Sequence, residues 1–218
     1  MSKDLKIKQM GGSPQLSEWK LKYHPVRIIT LFTLAGISFA FITLTVGYFL
    51  TTLGTEYNKF KLPAIFHANT IIILVSSYSM WQVRKHLEAA DWKGFLSSLA
   101  VSIGLGIAFT AFQIIGWREL LSDGVRLSQI GGAWLYVISG LHLAHLVVGL
   151  GVMGWYALKA IELNADPVKA LIFETTPDHT MKAEMMCLYW HFVDGMWIYI
   201  YLFFLLNIYV LTSVKLPF

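Results

Sequence analysis

Cysteine, charge and proline are all scarce in this chain of 218 residues. The single cysteine, Cys187, excludes an internal disulfide and any site that needs two thiolates, such as a zinc ribbon or a binuclear copper centre. Only 14% of the residues are charged, against about 25% in soluble domains. The six prolines avoid the interiors of the apolar runs: Pro25, Pro63, Pro167, Pro177 and Pro217 fall near their ends or in loops, and Pro14 lies in the N-terminal stretch. Nucleotide-binding loops, nucleophile–base spacings and an HExxH pair are all missing. What is abundant is apolar: 56% hydrophobic and 15% aromatic residues, bunched into long runs, with a mean hydropathy of +0.58. The net charge of +4 does not point to nucleic acid, because the Lys and Arg residues lie between apolar runs and form no basic stripe. The composition is that of a membrane protein.

Five runs are long enough to cross about 30 Å of hydrocarbon, at roughly 20 residues each. They cover 28–53, 62–83, 95–117, 131–158 and 188–211; the first four contain no Asp, Glu, Lys or Arg, and the fifth contains only Asp194. Helices satisfy their backbone polar groups internally, so the reading is an all-α membrane protein: a five-transmembrane-helix bundle. Residues 1–27 read as a polar cytoplasmic tail and 28–218 as a single membrane domain. Twelve basic residues fall on one side (Lys3, Lys6, Lys8, Lys20, Lys22, Arg27; Arg84, Lys85, Lys93; Lys159, Lys169, Lys182) and five on the other (Lys59, Lys61, Arg118, Arg126, Lys215). The positive-inside rule then places the N-terminus in the cytoplasm and the C-terminus outside. Trp81, Trp117, Trp134, Trp155 and Trp190 fall near run ends, as interfacial anchors do. Residues 159–187 read as a cytoplasmic loop. Small residues four apart (Ala100 and Gly104, Ser102 and Gly106, Gly140 and Ala144) would allow close helix approach.

Ionisable side chains at bilayer depth are costly and call for a functional hypothesis. The candidates are His67, His142, His145, His191 and Asp194, with Glu184 just before the last run. Four intramembrane histidines raise haem or metal binding, but their depths do not match across helices. His142 and His145, three apart, share a face and lack a further ligand. The other reading is histidines bonded to neighbouring helices, lipid headgroups or a partner subunit. Glu184, His191 and Asp194, at offsets of seven and three, lie roughly on one stripe. That stripe is either a proton-collecting group near the inner surface or a hydrogen-bond cluster, with His191 as the donor that offsets the buried Asp194. Asn69 and Gln113 are further candidates for interhelical bonds.

The last run carries Tyr189-Trp190-His191-Phe192-Val193-Asp194 followed by Trp197, and the fourth carries Gly140-Leu141-His142-Leu143-Ala144-His145 with Gly149 beyond. Before them stand Phe109-Thr110-Ala111-Phe112-Gln113, Ser122-Asp123-Gly124, Pro63, Asn69-Thr70, Trp81 and His86, and Glu184 precedes His191 by seven. This ordered set resembles subunit III of the haem-copper terminal oxidases, in its short five-helix bacterial form. The resemblance implies a non-redox accessory subunit of a complex that reduces oxygen to water and pumps protons. It implies haem and copper in the partner subunits and no cofactor in this chain, with bound phospholipid, and contact with subunit I and with subunit II in the same complex. It also implies a bacterial inner membrane and support of stability and proton uptake rather than catalysis. His142, His145, Glu184, Trp190, His191 and Asp194 become candidates for structural, interface or lipid contacts. Long members carry seven helices and a buried glutamate on the helix matching the first run; here that run has no carboxylate, with Gly36 near the place. The alternatives are a five-helix protein accompanying a nitric oxide reductase, and a small transporter or channel.

Overall fold

The computed structural model describes residues 25–52 and 62–213, with side chains undescribed at 174, 177, 178 and 209–213. Six helices follow in order: α1 (Pro25–Thr52), α2 (Ala64–Glu88), α3 (Trp92–Ser122), α4 (Ile130–Ala165), α5 (Pro167–Thr175) and α6 (Pro177–Ser213). Among the described residues, all but α5 are long and apolar enough to cross a membrane, and there are no strands. The five-helix reading holds. The expected tail 1–27 lies outside the described residues up to position 24, and Pro25, Val26 and Arg27 already belong to α1.

Helix ends follow from local chemistry. Pro63 precedes α2, where its fixed φ and missing N–H cost nothing. Asp91 caps α3 by accepting from the Gly94 amide at 3.0 Å. Between α2 and α3 the chain reverses in three residues through Ala90 at φ 52°. Gly124, at φ +84°, breaks the chain after α3 in the left-handed conformation that glycine adopts freely. Asp166 caps α5 through the amides of Val168 and Lys169, with Pro167 in the first turn.

Residues 159–187 are not the loop that their charges and prolines imply. α4 continues to Ala165, α5 fills most of the connection, and α6 begins at Pro177. The apolar run ends where hydrocarbon ends, but the helix need not, since water and ion pairs satisfy its polar surface. Glu162 holds Lys159 at 2.8 Å and Lys169 at 2.7 Å, tying α4 to α5. The bond from Glu162 raises the Lys169 ammonium above its usual range.

α2 and α3 form the most extensively packed pair, and α4 and α6 close a four-helix core around them. α1 packs outside that core against α4 and α6. It is held near one end by Thr45, whose hydroxyl bonds the Tyr199 hydroxyl at 2.7 Å, and by Tyr48 edge-on to Phe203 and Phe204. Its other side is bare, with Phe32 and Phe39 about three-quarters exposed. A face of this kind suits lipid.

Candidate functional site

The face that α6 turns to the core carries Trp190, Asp194 and Trp197 at helical offsets of four and three, and these define successive layers of the bundle. Trp190 is fully buried; its Nε1 donates to Ser76 Oγ of α2 at 2.8 Å. Its ring lies where a side chain at Gly106 or Gly149 would stand, since a Cβ there would come within 2.9 Å and 3.1 Å of ring carbons. Gly106 thus leaves the space that an indole from α6 fills. At Gly104 and Gly140 nothing stands closer than 3.8 Å, so those pairs bring no backbone close. Trp190 is an interior residue, not an interfacial anchor; Trp81 and Trp155, 44% and 57% exposed, are on the surface as anchors should be.

One layer on, Trp197 meets Phe109 of α3 edge-on at 4.8 Å and His142 of α4 at 5.4 Å, and donates to Thr70 of α2 at 3.3 Å. Beyond that layer the Asn69 amide donates to Gln113 Oε1 at 3.2 Å, as an interhelical pair should. Asp194 sits between the two tryptophan layers and is 2% exposed.

The expected bond between His191 and Asp194 does not form. Offsets of three turn the two side chains about 60° apart on a helix. His191 points at α2, where its Nδ1 meets Ser77 Oγ at 2.8 Å, while Asp194 points into the bundle. Neither carboxylate oxygen of Asp194 has a hydrogen-bond partner among the described residues; His142 Nε2, Asn69 Oδ1 and Gln113 Nε2 share that condition. Glu184 is half-buried and bonds no described residue, so the three-residue stripe is not one cluster. His142 and His145 also part company. His142 is buried among Phe109 and Trp197, whereas His145 caps its own helix backbone at Leu141 O and lies against Phe41 of α1. His67 bonds the Tyr201 hydroxyl on the bundle's outside. Among the described residues no group of three or more His, Cys, Asp or Glu side chains could hold a metal ion.

Ser76 and Ser77, both partners of α6, escaped the sequence reading, and Thr70 entered it only as part of the motif set. Their signal was present, as adjacent hydroxyls in an otherwise apolar run, but serine and threonine often bond their own helix and carry little information alone. Also unforeseen is a groove of about 340 Å³ between α1, α4 and α6, walled by Ile29, Val152, Trp155, Met186 and Tyr189, with Lys182 at its rim.

The chain matches the family model described as cytochrome c oxidase subunit III over residues 28–210. It is similar to cytochrome c oxidase subunit 3 of Danio rerio, 29% identical over 150 residues, which cover 67% of this chain and 51% of that protein. Likeness to the Sus scrofa protein of that name is 29% over 147 residues, 66% of this chain and 49% of the relative. For the Cyprinus carpio protein it is 27% over 150 residues. The chain spans about half the length of these curated relatives. A match across most of the chain, including the layers built from α2, α3, α4 and α6, places it in the cytochrome c oxidase subunit III family.

Proposed function

We propose that this chain is a non-redox accessory subunit of a haem-copper terminal oxidase, seated in a bacterial inner membrane beside the catalytic subunit I, with subunit II in the same complex. The family match over residues 28–210 carries the reading. The way the motif is used supports it: Trp190, Trp197 and His142 serve packing and interhelical bonds, which is the work of a scaffold. Haem, copper and the oxygen chemistry belong to the partner subunits. This chain contributes support, with the groove between α1, α4 and α6 as its lipid site. The groove's apolar walls suit an acyl chain, and Lys182 at the rim suits an anionic headgroup. Bound lipid then fills the gap beside α1 and stiffens the surface from which the catalytic subunit draws protons.

Purification through a tag on this chain tests the assignment. A haem-copper catalytic subunit is expected with it, together with haem absorbance and copper. The oxidase prepared without this chain should start at a near-normal rate of oxygen reduction per haem and then lose activity faster during turnover. Purification without a haem-copper partner removes the assignment, and an oxidase inactive from its first turnover removes the supporting role.

A further inference from the structure

Among the described residues, five polar atoms in the middle of the bundle have no hydrogen-bond partner: both oxygens of Asp194, His142 Nε2, Asn69 Oδ1 and Gln113 Nε2. Their residues come from all four core helices, and each side chain is at least 98% buried. They occupy consecutive layers, for Trp197 links the Asp194 layer to His142 and Phe109, and Gln113 lies one turn beyond Phe109. The set spans about 10 Å of helix rise. A buried carboxyl group without hydrogen bonds is strongly destabilising, and buried polar groups are otherwise almost always paired with protein or with ordered water. The neighbouring hydroxyls are engaged elsewhere and none bonds Asp194: Thr70 accepts from Trp197 and donates to Phe66 O, Ser76 accepts from Trp190, and Ser77 pairs with His191. Ser76 and Ser77 lie on the α2–α3 side of Asp194 and Thr70 on the opposite side, so the carboxyl group sits between hydroxyl-bearing layers. Ile73 of α2 and Leu146 of α4, both buried, fall between the tryptophan layers in helical register.

We propose that the bundle interior between the Trp190 and Trp197 layers is a hydration site, in which bound water bridges the Asp194 carboxyl group to His142 Nε2. Such a site meets the two to four polar partners that a buried water needs. The Asn69–Gln113 pair, with a free acceptor and a free donor, closes it on the far side. In this arrangement water joins four helices through one junction and fixes their register, which apolar contacts in a bilayer specify weakly.

Radiolytic hydroxyl labelling of the intact complex in lipid nanodiscs tests this, because radicals form at bound waters and mark the side chains beside them. Phe109 touches the site, and Phe95, equally buried against Trp92, does not. Phe109 should be labelled several-fold more than Phe95. The difference should persist in Asp194→Asn, which keeps the hydrogen-bonding group, and vanish in Asp194→Leu. His142→Leu supplies the same comparison where Asp194→Leu does not assemble. Equal labelling of the two phenylalanines in the native complex overturns the proposal, as does a difference that neither leucine variant reduces.

Discussion

Trp190 shows how one side chain organises several helices. Its indole crosses from α6 into a space that exists only because α3 has Gly106 and α4 has Gly149, and its N–H reaches Ser76 on α2. In a bilayer the apolar surface gains little from leaving lipid, so the fit and the single hydrogen bond carry the stability. A methyl group at Gly106 would stand 2.8 Å from Leu150 Cδ2 and 2.9 Å from the Trp190 ring, with both neighbours already packed. Gly106→Ala is therefore expected to cost about 1–3 kcal/mol, as overpacking does. Thermal melting of the purified complex, followed by release of this subunit, measures it. Melting at the native temperature would mean that the ring does not fill the gap between these glycines.

The α2–α3 turn makes the corresponding argument for an element. α3 starts on the Asp91 carboxylate, which accepts from the Gly94 amide and lies 2.9 Å from His86 Nδ1. The Gly94 bond, with His86 adding to it, holds the Asp91 carboxyl below its usual range. A depressed carboxyl pKa means that the cap contributes fully above the ordinary aspartate range and is lost as pH falls through the lowered value. Amide exchange at Trp92–Phe95, corrected for intrinsic rates, should accelerate on acidification in the native protein. In Asp91→Ala it should be fast at neutral pH and show no further acid step. Unchanged exchange in Asp91→Ala would remove the cap from the account. The spans were readable from uncharged length, but α3 starts at Trp92, three residues before the apolar run that marks it. The C-terminal end of α4 and the start of α6 were not readable, because hydropathy reports where lipid stops rather than where the helix stops. The site was legible only in part. The motif residues stood out by type, but a one-dimensional stripe cannot say whether His191 turns to Asp194 or to Ser77. That choice depends on where α2 lies, and only the packed bundle fixes it.

On the scale of the whole molecule, an odd number of crossings puts the two termini on opposite sides of the membrane, and charge decides which is which. The α2–α3 turn and the α4–α5–α6 junction share one end of the bundle, and the α3–α4 turn lies at the other. Arg84, Lys85, Lys93, Lys159, Lys169 and Lys182 gather at the first end, against Arg118 and Arg126 at the second. Lys59 and Lys61 fall in the connection between α1 and α2 and lie outside the described residues. Short loops rich in Lys and Arg are retained in the cytoplasm, so the α2–α3 end is expected to face inward. Single cysteines report this in a background where the buried Cys187 is replaced by alanine. Asp91 and Ser122 are exposed at opposite ends and suit the labelling, with Asn58, which lies outside the described residues, as a second position. A membrane-impermeant thiol reagent applied to intact cells, with the outer face accessible, should label Ser122→Cys and Asn58→Cys and spare Asp91→Cys until the membrane is opened. Labelling of Asp91→Cys from outside would invert the orientation. It would also move Lys182 and its groove to the outer leaflet, away from the surface where proton uptake needs support.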